Sequence, residues 1–152
     1  YCKTVLSAAA VLLQNKSAKD FYSWVDFFDG DARARPGLPL IVSEEVKGFG
    51  FALACDFLKE LGYANFGKPD VHIREIFAAA GLCSADVGDY ELLKVICRIA
   101  DSAGVPPYTV DKVFWLIGSG YFYNHPQVGK SGRIPQPKAS FIRSLKPTVP
   151  NR

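Results

Sequence analysis

Two short stretches of the chain combine residue types that are able to do chemistry. The first, Val-Lys-Gly-Phe-Gly at 46–50, sets two glycines beside a lysine, directly before an apolar helical pattern. A glycine turn at a helix start lets the backbone approach a ligand and presents unpaired N–H groups at the positive end of the helix dipole. The pattern therefore indicates a phosphate-binding turn that contacts nucleic-acid backbone without reading its sequence.

The second stretch, Gly-Lys-Pro-Asp-Val-His-Ile at 67–73, places one acid at the head of another apolar helical pattern. Asp70 has two interpretations: an N-cap of that helix, or a fixed carboxylate that stabilises positive charge developing in a reaction. His72 either orients Asp70, contacts phosphate, or takes part in local capping. Lys68 stands close enough in sequence to supply a cation beside the acid.

The elements that must position these stretches are helices. Apolar residues recur at helical spacing, and no segment alternates with the period of a strand, so the sequence predicts an all-α helical bundle of six or seven helices. Ser17, Ser43 and Asp70 are candidate N-caps, Gly62 and Gly81 are candidate helix ends, and 29–40 is predicted to be a loop. The predicted helices are 3–14, 17–28, a short one from 43, 51–62, 71–80, 89–104 and 109–123.

Composition indicates one globular domain rather than a disordered or fibrous chain, with 152 residues, 49% hydrophobic and 22% charged. We expect a helical domain over 1–123, incomplete at its N-terminus because the chain contains no Met, and an irregular Pro-rich basic tail over 124–152. The absence of a long apolar run and of a signal peptide predicts a soluble intracellular protein without membrane contact. Four cysteines without CxxC spacing are predicted to be buried free thiols, namely Cys2, Cys55, Cys83 and Cys97.

Taken together, Val-Lys-Gly-Phe-Gly-Phe-Ala and Gly-Lys-Pro-Asp-Val-His-Ile resemble the array of the helix-hairpin-helix DNA glycosylase superfamily. That superfamily includes endonuclease III and the 8-oxoguanine and alkyl-base glycosylases. The resemblance is strongest over 43–81 and extends more loosely to about 123. It implies contacts to the phosphates of double-stranded DNA from Lys47, Gly48, Phe49, Gly50, Phe51, Lys68 and His72.

The resemblance also implies a reaction and its limits. Asp70 matches the aspartate that faces the anomeric carbon of an extruded nucleotide, where it assists hydrolysis of the glycosidic bond. Members that also cleave the strand carry a lysine nucleophile 18 positions before this aspartate, and Ala52 occupies that position here. The chain is therefore expected to be a monofunctional DNA N-glycosylase in base-excision repair, a hydrolase without lyase activity.

By the same resemblance, the backbone carbonyls of Glu44, Val46 and Phe49 hold a structural monovalent cation, K⁺ or Na⁺, at the hairpin. No iron-sulfur cluster is expected, because its cysteine spacing is missing. Family members have more helices before the hairpin, so a missing N-terminal segment or a protein partner is expected to complete the fold. A DNA-repair protein belongs in the cytoplasm and nucleoid, or in a nucleus.

Two alternatives compete with base excision. The hairpin can serve a non-catalytic module that grips DNA backbone within a DNA-processing assembly, which Ala52 and the short upstream region favour. The chain can also be an all-α domain for protein contacts, with a plain turn at 48–50. Likewise, the aromatic residues of 114–123 either stack a flipped base or fill the core, and the basic tail either clamps DNA or is solvated charge.

Overall fold

The computed structural model describes residues 2–121 and 137–145, and the regular elements among these residues are α-helices joined by turns and loops, which confirms the predicted all-α class. None of the described helices is long and apolar enough to cross a bilayer. The helices are α1 (Cys2–Leu12), α2 (Ala18–Asp29), α3 (Gly37–Glu45), α4 (Phe51–Glu60), α5 (Val71–Ala79), α6 (Asp89–Ala103), α7 (Pro107–Ser119) and α8 (Pro137–Leu145).

The first half of the molecule is built around α2, α3 and α4. Its centre is fully buried and consists of Val25, Leu38, Ala54, Leu58 and Phe66, the last from the loop that follows α4. Helices α3 and α4 pack directly against each other, and α1 covers one side of this half without burying any residue of its own. The apolar faces of α2, α3 and α4 thus fix the two arms of the α3–α4 hairpin.

The second half is formed by α5, α6 and α7, with α8 lying on its outside. Ile73, Phe77, Leu92 and Ile96 fill its centre and are fully buried. Helix α7 packs against both α5 and α6, so it is the shared support of this half. Because α5 is held here while α4 belongs to the first half, the loop 61–70 that joins them runs between the two cores.

The N-terminal arm of the hairpin is longer than predicted. The prediction of a loop over 29–40 is wrong for its last residues, because α3 begins at Gly37. Ser43 is therefore not an N-cap: it lies inside α3, where its Oγ donates to the carbonyl of Leu40 at 2.8 Å. Pro39 is tolerated because it lies in the first turn, where a backbone N–H has no helical acceptor, and burial of Leu38 stabilises that turn.

The tail is not irregular throughout, because Pro137–Leu145 forms α8. The ring of Phe141 packs edge-on against that of Phe114, with 6.0 Å between centroids, and Lys138 pairs with Glu75 of α5. Contact of Phe141 with α7 stabilises this helix, which the weak periodicity of the segment did not predict. The tail residues Lys130, Arg133 and Lys146, with His125, lie outside the described residues.

The predicted helix starts are confirmed where a polar side chain caps them. Ser17 accepts a hydrogen bond from the Asp20 N–H at 3.2 Å, as expected of an N-cap. Gly62 and Gly81 follow α4 and α5 with positive φ, which is the usual way for a helix to end on glycine. Helix α7 begins at Pro107, two residues before the predicted start, because proline suits the first position of a helix.

The four cysteines are free, as predicted, but their burial differs. Cys55 is buried, Cys83 and Cys97 are half-buried, and Cys2 is exposed on α1, so the prediction of burial is wrong for Cys2. The cause is that α1 buries none of its residues. Burial raises the pKa of the Cys55 thiol, which keeps it protonated at neutral pH.

Gly67 generates a prediction about the loop between the two halves. A Cβ at this position would lie 2.6 Å from Cγ2 of Ile96 and 3.2 Å from the Pro107 carbonyl oxygen. Gly67→Ala is expected to lower the free energy of unfolding by about 1–3 kcal/mol, because the packed core must move to admit a methyl group. Urea unfolding followed by circular dichroism measures this loss.

Gly37→Ala is the matched control, since its Cβ would meet only the far end of the Phe28 ring at 4.0 Å. It lies at the start of α3, where alanine is a better helix former than glycine, so it is expected to be neutral or slightly stabilising. Equal unfolding free energies for Gly67→Ala and wild type would show that the loop does not need this close approach.

Candidate nucleic-acid interface

The α3–α4 connection is a tight turn that brings five of the predicted contact residues together. Val46 is buried and ends α3, while Lys47, Gly48 and Gly50 are exposed. The Phe49 N–H donates to the Val46 carbonyl at 3.0 Å and closes the turn. Gly48 has φ +80, a backbone conformation that glycine adopts without strain, which is why the turn needs glycine at this point.

Helix α1 contacts this turn from one side. The Lys47 N–H donates to Ser7 Oγ at 2.9 Å, and Ser7 Oγ in turn donates to the Glu45 carbonyl at 3.4 Å. A Cβ on Gly48 would lie 3.0 Å from Thr4 Oγ1. The backbone N–H of Lys47 is thus already satisfied, which leaves the α4 side of the turn as the open face.

That open face is the start of α4. Gly50 occupies the N-cap position, and no side chain of the described residues caps the helix there. The backbone N–H groups of the first turn of a helix have no helical acceptor and carry the positive end of the dipole. Leu53, in this first turn, is 42% exposed, so solvent reaches the helix end.

The opposite arm of the hairpin carries negative charge. Helix α3 ends with Glu44 and Glu45, both exposed, at the negative end of its own dipole. An anion is therefore repelled on the α3 side and attracted on the α4 side, whereas a cation is favoured at the end of α3. Of the three carbonyls predicted to bind a monovalent cation, those of Glu44 and Val46 belong to this end and that of Phe49 lies in the turn; the Val46 carbonyl also accepts the Phe49 N–H.

Asp70 is the N-cap of α5. Its Oδ1 accepts a hydrogen bond from the Ile73 N–H at 2.9 Å, and its backbone is extended, with φ −90 and ψ 176. The carboxylate is half-buried, and its own N–H donates to the Lys68 carbonyl at 2.9 Å. Asp70 therefore caps α5, and the hydrogen bond from the Ile73 N–H also fixes the direction of its carboxylate.

His72 does not join Asp70 in a hydrogen bond. It lies against α7, where a Cβ on Gly118 would come within 2.3 Å of the His72 Cβ. The Nδ1 atom of His72 is buried and has no hydrogen-bond partner within the part of the chain that the structure describes. The buried Nδ1 of His72 thus faces the interior, while the Lys47, Gly48 and Gly50 residues with which it was predicted to share phosphate contacts are exposed.

A network of charged side chains anchors the loop that carries Asp70. Asp111 of α7 is 2% exposed, and its Oδ2 accepts from Lys59 Nζ at 2.5 Å and from the Lys68 N–H at 3.0 Å. Asp56 of α4 pairs with Lys59 at 3.0 Å and with Lys68 Nζ at 2.9 Å. The network therefore joins α4 and α7 to the loop at Lys68, two residues before Asp70.

Burial and hydrogen bonding have opposite effects on the pKa values of this network. Removal from water raises the pKa of Asp111, although hydrogen bonds from Lys59 and from the Lys68 N–H oppose that change. Burial also acts to lower the pKa of Lys59, but the bonded carboxylates of Asp111 and Asp56 together outweigh it and the pKa rises. At Asp56, the hydrogen bonds from Lys68 and Lys59 overcome partial burial and lower its pKa.

Sequence reasoning found Lys68 but missed Asp56, Lys59 and Asp111. The signal was present for Asp111, a lone acid within the apolar pattern Thr-Val-Asp-Lys-Val-Phe-Trp, since a buried carboxylate requires a partner. Nothing in the sequence identified which of many lysines would be that partner. The network also lines a cavity of about 190 Å³ together with Tyr108 and Trp115.

The aromatic residues near the site are largely occupied by packing. Phe51 lies 6.1 Å from the ring of Tyr90, edge to face. Phe114 contacts Phe77 at 4.9 Å and belongs to the second core, which agrees with the core interpretation of that residue. Tyr121 is exposed, and the residues that follow it in the predicted stacking stretch lie outside the described part of the chain.

Comparison with known proteins gives this chain no relatives: no family model, no curated protein and no solved structure matches it. Its function is therefore inferred from its own residues.

Removal of Lys59 from its pair with Asp111 is expected to lower the free energy of unfolding by an amount that depends on pH. Lys59→Met leaves a buried carboxylate without its cation, which is expected to lower the free energy of unfolding by about 3–5 kcal/mol at pH 7. Loss of the cation raises the pKa of Asp111 further, so the native state binds a proton more readily than the unfolded state. The destabilisation is therefore expected to shrink as the pH falls toward 5.

Urea unfolding of Lys59→Met at pH 5 and pH 7 measures this effect, with wild type at both values. The matched control is Lys59→Met combined with Asp111→Asn, which removes the unpaired charge and keeps an acceptor for the Lys68 N–H. Most of the stability lost at pH 7 is expected to return in the double variant. A loss that is the same at both pH values, or that Asp111→Asn does not relieve, would contradict this account.

Proposed function

We propose that this chain binds double-stranded DNA through the sugar-phosphate backbone, using the α3–α4 hairpin. The observation that carries the proposal is the uncapped start of α4 at Gly50, exposed beside Lys47. Open N–H groups at a helix N-terminus, with a nearby lysine, are a ready anion-binding arrangement. Such contacts position a protein on DNA without sequence preference.

The charge distribution of the hairpin gives this binding a direction. Phosphate approaches on the α4 side, where the first-turn N–H groups are open, because Glu44 and Glu45 repel it from the α3 side. A monovalent cation at the carbonyls of the α3 end would reduce that repulsion and bridge to phosphate. The proposal thus includes a structural K⁺ or Na⁺ ion at the hairpin as an aid to binding.

Salt dependence of DNA binding tests the hairpin. Wild-type affinity for a duplex without lesions is expected to fall steeply as the salt concentration rises, because bound phosphates release counterions. Lys47→Ala is expected to reduce the slope of log affinity against log salt by about 0.9, the value for one phosphate contact. Fluorescence anisotropy of a labelled duplex at several salt concentrations measures the slope.

Lys19→Ala is the matched lysine control, since Lys19 is also exposed but lies on α2. Leu53→Glu compared with Leu53→Gln tests the helix end itself. Glutamate in the first turn of α4 stabilises the helix, yet its charge opposes phosphate, so only the glutamate variant is expected to bind DNA severalfold more weakly. Equal binding by the two Leu53 variants, or no binding by wild type at low salt, would refute the hairpin as the contact.

A second function, hydrolysis of the N-glycosidic bond of a damaged or mismatched base, is favoured by the position of Asp70. Its carboxylate is half-buried and held in one direction by the Ile73 N–H, on a loop anchored through Asp111. A fixed carboxylate stabilises the positive charge that develops on the sugar as the base leaves. Because Ala52 replaces the lysine nucleophile, the product is an abasic site with the strand intact.

Asp70→Asn separates catalysis from folding, because asparagine caps a helix about as well as aspartate. Wild type is incubated with duplexes that each carry one lesion, and abasic sites are detected as strand breaks that appear only after alkali. The Asn variant is expected to lose roughly 100-fold or more of the excision rate while it retains DNA affinity. Asp86→Asn, which changes an exposed acid elsewhere, is the control.

Two outcomes would count against excision that depends on Asp70. If no lesion yields abasic sites while salt-dependent binding persists, the chain is a non-catalytic module for a DNA-processing assembly. If Asp70→Asn excises as fast as wild type, another residue carries the reaction. Strand breaks without alkali, or a trapped covalent adduct after borohydride, would show a lyase step that Ala52 does not predict.

A further inference from the structure

A cleft of about 800 Å³ lies between the two halves of the molecule, and no residue of the 46–50 turn lines it. One wall is the α2–α3 connection with Ala32 and Pro36, and the other is the C-terminal part of α6. Ala64 and Asn65, from the loop after α4, close one end. Its volume falls within the range of roughly 300–1,000 Å³ that is usual for sites that bind small molecules.

The inner surface of the cleft is apolar and rigid. Leu93 and Ala100 of α6 face it from the core, with exposed fractions of 1% and 0%. Pro36 and Pro107 are buried and contribute to opposite walls. Proline has a fixed backbone and little side-chain entropy to lose, so these walls present a preformed surface to an apolar molecule.

Positive charge dominates the rim. The charged lining residues are Arg35, Lys94, Arg98 and Asp101, three cations against one acid. Arg35 is already engaged, because its Nη2 donates to the Asp29 carbonyl at 2.6 Å and its Nε lies 3.3 Å from the Asp29 carboxylate. Lys94 pairs with Glu91 at 3.0 Å.

Arg98 differs from the other two cations. It is exposed, and its guanidinium makes no hydrogen bond or ion pair with any residue of the described ranges. Asp101, one turn further along α6, is not within ion-pair distance of it. Arginine offers a planar fork of N–H donors that matches carboxylates, sulfonates and phosphates.

We propose that this cleft binds a small organic anion with an apolar body, and that Arg98 holds the anionic group at the rim. The apolar walls receive the body of the ligand, and Arg98, whose guanidinium has no partner among the described residues, favours one negative group at the rim. This site is separate from the α3–α4 turn, so the inference does not depend on the proposed DNA binding.

Two fluorescent probes with the same aromatic body test the proposal. 8-Anilinonaphthalene-1-sulfonate carries an anionic sulfonate, and N-phenyl-1-naphthylamine lacks it. The full chain is expected to bind the sulfonate more tightly. Arg98→Ala is expected to weaken the sulfonate about fivefold and to leave the neutral probe unchanged, since a single exposed charge contact is lost. Arg98→Lys keeps the charge and is expected to lose less than Arg98→Ala.

Arg33→Ala is the control for the loss of an exposed arginine. Arg33 lies in the α2–α3 connection, which forms one wall of the cleft, but it does not line the cleft itself. Ala64→Trp tests the location: Ala64 is exposed, so a larger side chain is tolerated, yet it fills the end of the cleft. It is expected to weaken both probes more than tenfold.

Amide shifts in a ¹⁵N NMR titration with the sulfonate probe provide the position. Changes are expected at Ala32, Ala64 and Val105, which line the cleft. Changes centred on Val11 and Trp24 would instead place the probe in the apolar cavity of about 190 Å³ beneath α1 and would overturn the proposal. Equal affinity of wild type and Arg98→Ala for the sulfonate, or undiminished binding by Ala64→Trp, would overturn it as well.

Discussion

The fold depends on one buried carboxylate. Asp111 stands on α7, yet it bonds the side chain of Lys59 from α4 and the backbone N–H of Lys68 from the connecting loop. A carboxylate removed from water is costly unless it is hydrogen-bonded and paired, so α7, α4 and the loop must meet at one place. Gly67 makes this approach sterically possible, because it brings backbone within contact of Ile96 and Pro107. Asp70 lies three residues after Gly67, so the anchoring of the loop by Asp111 also positions the Asp70 carboxylate.

Helix α4 connects two charged regions of different character. Its start is open to solvent and offers backbone N–H groups, whereas its last turn places Lys59 in the buried network. With ten residues at 1.5 Å each, the helix sets these ends roughly 15 Å apart. The exposed end suits contact with a mobile anion, and the buried end suits rigid support of the loop. One short helix thus has an exposed N-terminus and a buried last turn that supports the loop.

The fold class and most helix positions could be predicted from the sequence, because apolar spacing and capping residues act locally. Ser17 and Asp70 cap helices as their type and place suggest. The start of α3 was missed because Gly37 and Pro39 resemble loop residues, and only burial of Leu38 against the first core explains a helix there. Helix α8 was missed for the same reason, since Phe141 acquires its partner only when the chain folds back.

The candidate site shows the same division. The turn at 46–50 and the cap at Asp70 were predictable, because both are encoded within a few residues. The pairing of Lys59 with Asp111 spans 52 positions of sequence, so no local pattern selects it. The burial of His72 Nδ1 without a hydrogen-bond partner among the described residues was equally hidden, since His72 lies against Gly118 of α7, a helix far from it in sequence. Long-range contacts therefore determined what sequence reasoning omitted.

The hydrogen bond between Ser7 and the Lys47 N–H has a thermodynamic consequence for α1. A ligand that uses that N–H must first displace Ser7, so the two compete for one donor, and the contest involves about 1 kcal/mol. Helix α1 buries no residue completely, and Ala8 and Val11 are the α1 side chains that pack against the first half of the molecule. Docking of α1 and binding of a ligand to the Lys47 N–H would then be linked with negative sign and by equal amounts in both directions, whereas binding at the open start of α4 would not involve Ser7. Helix α1 would thus compete weakly with any ligand that used the Lys47 N–H.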